Sequence, residues 1–247
     1  LDEWLRLFLL FAVGAIAGFI NVNAGGGSSL TLPALILLGL ESSVANGTNR
    51  IGIAVQTMFA VSSFRRRNFH DFKTSGFMAL FTLPGAVLGA FLSIRIGDQW
   101  FQRILGIVMI GIVFSIIFSS YKKDHAERPV KNWLIYPVML GIGFYGGFIQ
   151  IGVGFIFMAS LYHILHISLI HVNMHKVFII FIYTLPALAV FIISGRIAWI
   201  PGLIMAAGMA AGGWWGAHAV VKGGERTIRI VLVVAILIMA LKMLGLF

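Results

Sequence analysis

The 247-residue sequence contains no cysteine, which excludes disulfides, thiolate metal sites and thiol catalysis together. Charge is scarce as well. Only 11% of the residues are Asp, Glu, Lys or Arg, against about a quarter in soluble domains, so the chain cannot cover a water-facing surface. Acids are rarest. Asp2, Glu3, Glu41, Asp71, Asp98, Asp124, Glu127 and Glu225 are all of them, and each lies at the end of an apolar stretch or between two. This leaves no carboxylate pair for general acid–base work, no acidic cage for sodium and no metal-ligand cluster. HExxH, GxSxG and the Walker lysine loop are also missing. No catalytic residue, metal or cofactor is expected.

What is present is apolar. Hydrophobic residues make up 60% of the chain and the mean hydropathy is +0.99. Ten apolar segments can be read: 5–20, 30–40, 51–64, 76–94, 101–118, 133–149, 155–165, 172–193, 199–221 and 228–246. A membrane-crossing helix takes roughly 20 such residues. The chain begins at Leu1 without methionine, which suggests a short stretch ahead of it. No basic run or small-residue cleavage pattern marks the first segment as a signal peptide, so it is expected to be structural. The net charge of +10 falls in the breaks between segments, where Lys and Arg set topology. No basic groove with interleaved aromatics accompanies it, so the expected partner is the lipid bilayer and not nucleic acid. Association with a second copy is left open.

The two halves repeat. Gly18-Phe19-Ile20-Asn21 recurs as Gly147-Phe148-Ile149-Gln150, which aligns Gly14 with Gly143 and Gly25 with Gly154. Later, Gly89-Ala90 followed by Arg95, Gly97 and Asp98 recurs as Gly216-Ala217 followed by Lys222, Gly224 and Glu225. Internal repeats are the usual construction of secondary transporters. The expected organisation is a first transmembrane repeat at 1–119, a cytoplasmic linker at 120–132 and a second repeat at 133–247.

Each half opens on two short segments divided by a polar, glycine-rich break: Asn21-Val22-Asn23-Ala24-Gly25-Gly26-Gly27-Ser28-Ser29 in the first, and Gln150-Ile151-Gly152-Val153-Gly154 in the second. Eleven residues of helix rise only about 16 Å, roughly half the hydrocarbon core. Each pair is therefore expected to dip in and return. A hairpin plus three crossings makes the halves inverted, and this grouping gives the steeper division of Lys and Arg between the two faces. The fold class expected is an all-α polytopic membrane protein. It has two pseudo-symmetric, inverted repeats, each a broken, re-entrant helix pair followed by three transmembrane helices.

Irregular backbone at membrane depth belongs where it lines a cavity or packs in protein. Gly25, Gly26 and Gly27 let the chain turn and uncover N–H groups, while Ser28 and Ser29 read as N-caps of a half-helix whose positive end faces the bilayer centre. Such an end binds anions, and Asn21 and Asn23 add amide donors. A kink for tight helix packing is the structural alternative. Thr48, Asn49 and Arg50 enter the third segment, with His175 and Lys176 at the comparable place in the second half. A cation just inside each mouth would draw in an anion; snorkelling to headgroups is the competing role. His163, His166, His171 and His175 gather near one mouth and could titrate near neutrality. Gly85-x3-Gly89 and Gly208-x3-Gly212-x3-Gly216 read as faces for close helix approach, and Trp100, Trp133 and Trp199 as interfacial anchors.

The stretch from Gly14-x3-Gly18 to Asn21, the Gly25-Gly26-Gly27 run, Leu30-x2-Pro33-x-Leu35 and Ala45-Asn46-Gly47-Thr48-Asn49 resemble the first half of the sulfite exporter TauE/SafE family. The second half departs from the pattern, with the glycine run thinned to Gly152 and Gly154 and Asn173-Met174-His175-Lys176 in place of the Asn-Gly-Thr-Asn motif. The resemblance implies a permease of two related halves, carrying sulfite, sulfonates or other sulfur-containing anions in a bacterial inner membrane. By position it also implies a substrate site of Asn21, Asn23, Gly25 to Ser29, Thr48, Asn49, Arg50, Gln150, Gly152, Gly154, His175 and Lys176. An anion-conducting channel built on re-entrant half-helices is the alternative.

Overall fold

Helix α1, Glu3–Asn23, runs straight through the first polar residues of the break. Its 21 residues rise about 31 Å, enough to cross a membrane. The expectation of a short first segment is therefore wrong for this half. The two asparagines do not stop the helix because their amides find partners. Asn23 Nδ2 donates to the Phe19 carbonyl one turn back at 2.7 Å, and Asn21 Nδ2 donates to Gln56 Oε1 at 3.0 Å.

The computed structural model describes residues 3–23, 25–118 and 132–219. The central linker and the tenth apolar segment, 228–246, lie outside the described residues. Within them, α1 is followed by α2 (Ser28–Leu37), α3 (Ser42–Arg66), α4 (Phe72–Arg95) and α5 (Asp98–Phe118). After a 3-10 turn at Asn132–Leu134 come α6 (Ile135–Phe148), α7 (Val153–Leu165), α8 (Leu169–Ile193) and α9 (Trp199–Ala219). No strand occurs among the described residues, as expected of an all-helical membrane protein. Helices α1, α4 and α8 are long and apolar enough to cross a bilayer. Outward-facing Leu88, Ile107 and Leu203 are more than half exposed, and Trp100, Trp133 and Trp199 are likewise exposed at the starts of α5, the 3-10 turn and α9. Large apolar side chains on that scale suit lipid and not water. The chain is an integral membrane protein.

Helix α3 begins nine residues before the apolar segment that signals it, because Ser42, Ser43 and Asn46 are buried against protein instead of facing water. Its start is held by the Ser42 N–H, which donates to Asp98 Oδ1 at 2.7 Å. At the opposite end of the fold, Asp71 caps α4 by accepting from the Thr74 N–H at 3.1 Å.

Close packing runs between the halves. Phe11, Ala15 and Phe19 of α1 meet Gly208, Gly212 and Gly216 of α9 in the same order, so these helices are parallel. Leu140 and Phe144 of α6 meet Gly85 of α4, and Phe144 and Phe148 meet Gly89, which makes that pair parallel too. A side chain at any of these glycines would run into a facing carbonyl, least severely at Gly216. Helix α9 also packs on α3, and α4 on α8. The first helix of each half thus rests on the fourth helix of the other.

These contacts correct the repeat register. Gly89 meets the carbonyl of Phe144 and the N–H of Phe148; Gly212 meets those of Ala15 and Phe19, the aligned residues of α1. The partner of Gly89 is Gly212 and not Gly216. Glycines recur every fourth residue in α9, so sequence matching could slip by one turn without an apparent cost.

Candidate functional site

The two breaks touch. Gly25, with φ 86°, and Gly154, at the start of α7, approach so closely that a Cβ on Gly25 would lie 2.5 Å from the Gly154 carbonyl carbon. Only glycine fits at both, and Gly25 also needs the left-handed backbone that glycine adopts freely. In the second break the turn is made by Gln150 and Gly152, with φ 65° and 66°. Gln150 is a non-glycine residue in that region, and its side chain is tied down: Nε2 donates to Thr184 Oγ1 at 3.3 Å.

Ser28 and Ser29 are not N-caps. Helix α2 starts at Ser28 with Gly27 before it, and no side chain caps the end. The Ser28 hydroxyl instead crosses to the second break, donating to the Gln150 carbonyl at 3.2 Å. Gly27 packs so tightly on α1 that a Cβ would overlap the Ala17 carbonyl, and a capping geometry at Ser28 would lift α2 off that surface. Ser29 is fully buried and its Oγ has no partner. Asn21 and Asn23 belong to α1, and their Nδ2 donors are engaged as described.

Arg50 and Lys176 are 0% and 1% exposed, so neither snorkels to a headgroup nor stands at a mouth. Each reaches the C-terminal end of the opposite half's first helix. Lys176 Nζ donates to the carbonyls of Asn21 at 3.4 Å and Val22 at 3.2 Å, and to Asn173 Oδ1 at 2.5 Å. Arg50 Nη2 donates to the Gly147 carbonyl, and Asn46 Nδ2 to that of Phe148 at 2.7 Å. The last carbonyls of a helix lack partners within it and carry partial negative charge, so cations and amides suit these places. Arg50 also lies over the Phe191 ring, 4.9 Å from its centroid.

Other expected site residues fall elsewhere. Thr48 Oγ1 accepts from the Ala198 N–H at 2.9 Å, anchoring the turn between α8 and α9 where Arg196 meets Glu41 at 2.8 Å. His175 pairs with Ser75 Oγ at 2.8 Å near the other face of the fold. Of the four histidines it alone is buried; His163, His166 and His171 are exposed. Gln56, Tyr183 and Thr184 are buried here as well and were not among the expected site residues. Each is a polar group inside an apolar segment, which was signal enough to single it out.

Several buried polar atoms have no partner among the described residues: Arg50 Nε and Nη1, both amide atoms of Asn49, Gln150 Oε1, Tyr183 OH and Ser29 Oγ. Among the described residues, no buried side chain is an Asp or Glu. Arg50 therefore carries a buried positive charge with two of its three nitrogens unpaired among the described residues.

A sulfite exporter TauE/SafE model matches residues 10–243. The chain belongs to the sulfite exporter TauE/SafE family. A probable membrane transporter protein of Haemophilus influenzae is 29% identical over 96% of this chain and 94% of its own length. A second from Sinorhizobium is 29% identical over 97% and 92%, and the probable membrane transporter protein YfcA of Escherichia coli K12 is 28% identical over 97% and 90%. No solved structure matches. Membership in this family agrees with the helical, lipid-facing architecture.

Proposed function

We propose that this TauE/SafE member is a secondary transporter of the bacterial inner membrane that moves a small oxyanion, sulfite or an organosulfonate, by alternating access. The observation that carries this reading is the backbone contact of Gly25 with Gly154. These positions correspond in the sequence repeat, and a residue touches its own counterpart only near a pseudo-two-fold axis. Axes of that kind, with broken helices beside them, build the substrate sites of inverted-repeat transporters.

The parallel pairs α1 with α9 and α4 with α6 support the inversion. Helix α9 starts beside Glu41 and Arg196, so α1 enters from that face. Helix α4 starts at Asp71 on the opposite face, so α6 enters from there. The moving units are not the sequence halves, however. One bundle is α1, α3 and α9, the other α6, α8 and α4, and α3 meets α8 between them. Rocking of these two bundles exposes the centre to one face and then the other. Both Arg50 and Lys176 bridge the bundles.

Uptake into proteoliposomes with sulfite, sulfoacetate, thiosulfate, sulfate and taurine tests the substrate class. Saturable movement of sulfite or sulfoacetate is expected. Protein that moves none of the sulfur anions faster than empty vesicles would remove the proposal.

A further inference from the structure

We infer that the two buried cations have divided roles: Arg50 is the charge that binds the transported oxyanion, and Lys176 is a structural cap that takes no part in binding. This rests on the anion-transport reading above and assigns its central ligand. Two observations of different kinds separate the residues.

The first is the donor count. An ammonium has three N–H donors and no more, and Lys176 Nζ faces three acceptors, the carbonyls of Asn21 and Val22 and Oδ1 of Asn173. Nothing is left for a solute. A guanidinium has five donors, and among the described residues Arg50 gives one bond, from Nη2 to the Gly147 carbonyl, with Nε and Nη1 unpaired. Each fork edge of the guanidinium, Nε with Nη2 or Nη1 with Nη2, therefore keeps free N–H groups.

The second is what surrounds them. Neither buried cation has a carboxylate partner among the described residues, but Lys176 Nζ is offset by three acceptors whereas Arg50 meets a single carbonyl. A charge buried in that way is strongly destabilised unless an ion of opposite sign joins it. One unpartnered group close by in the fold is of a kind a bound oxyanion can use. Among the described residues Tyr183 OH is unpaired, and it packs against Gly146, next to the residue whose carbonyl Arg50 holds. Phe191 covers one face of the guanidinium. A planar fork with a flanking O–H donor suits an anion with two or more oxygens on one atom, the sulfite, sulfonate or carboxylate pattern, over a spherical halide.

Binding of sulfite and of sulfoacetate to the purified protein in nanodiscs, by calorimetry, tests this, with chloride as the halide control. Arg50→Gln is expected to weaken both oxyanions by about 50-fold or more. Arg50→Lys, which keeps the charge but not the fork, is expected to lose about tenfold and most of the preference over chloride. Lys176→Gln is expected to lower the melting temperature yet leave both dissociation constants within about threefold. Arg50→Gln and Arg50→Lys proteins that bind like the parent overturn the inference. So does folded Lys176→Gln protein that loses binding as completely as Arg50→Gln. A parent protein that binds neither oxyanion defeats the transport reading itself.

Discussion

Gly25 and Gly154 lie backbone to backbone where the two broken helix pairs meet, with no room for a methyl group on either. The consequence is steric and direct. Gly154→Ala would force the breaks apart, at a cost of about 1–3 kcal/mol as overpacking. Gly25→Ala adds to the same clash a backbone angle that L-residues rarely take. Both variants should insert, and both should transport poorly, with Gly25→Ala the worse. Transport per folded molecule, from proteoliposomes calibrated by size-exclusion yield, checks the order.

Gly27 and Ser28 are adjacent but should respond differently. Gly27→Ala pushes a methyl group into the Ala17 carbonyl of α1 and must displace α2. Ser28→Ala removes one hydrogen bond, to the Gln150 carbonyl, worth about 1 kcal/mol. Gly27→Ala should therefore lower thermal stability and transport far more than Ser28→Ala. Equal and small effects from both would mean that α2 is free to shift on α1.

Much of this site was legible in the sequence because bilayers make polar residues conspicuous. The glycine break, Gln150, Arg50 and Lys176 stand out against apolar neighbours, and the repeat aligns Gly25 with Gly154. Partners were not legible. Nothing local tells that Lys176 will cap α1 from 155 residues away, or that Arg50 will reach Gly147. Helix ends were misplaced for the same reason: Asn21 and Asn23 look like a break until Gln56 and the Phe19 carbonyl take up their amides. The slipped register at Gly216 has a simpler origin, since evenly spaced glycines align equally well one turn apart.

Asp71 offers a test by pH. The Thr74 side chain and N–H hold its carboxyl below the usual carboxylate range, so the folded state favours the ionised form. A depressed folded pKa contributes stability above the unfolded pKa and loses it as pH falls through the folded value. Asp71→Ala should cost about 1 kcal/mol near neutrality, as the loss of an N-cap. The difference from the parent should shrink as pH drops below about 4. Asp71→Asn should keep most of the cap and show little pH dependence. Melting curves of the three proteins from pH 7 to pH 3 settle the sign.

Single cysteines can be placed without interference in this cysteine-free chain. Substitutions at Glu41 and Arg196 should label from one side of the membrane and substitutions at Asn68 and Asp71 from the other. The face with Arg65, Arg66 and Arg67 should be cytoplasmic. Labelling of Glu41→Cys and Asn68→Cys from the same side would contradict the opposed entry of the two broken pairs.

The central claim, a carrier that exposes one anion site to each face in turn, is tested most directly by counterflow. Proteoliposomes are loaded with unlabelled sulfite, diluted into a trace of labelled sulfite, and the labelled anion is followed inward. An alternating-access carrier predicts saturable entry that is accelerated by sulfite on the trans side and rises transiently above its equilibrium level. Entry that never saturates, and that trans sulfite does not accelerate, would contradict the account and make the protein a channel.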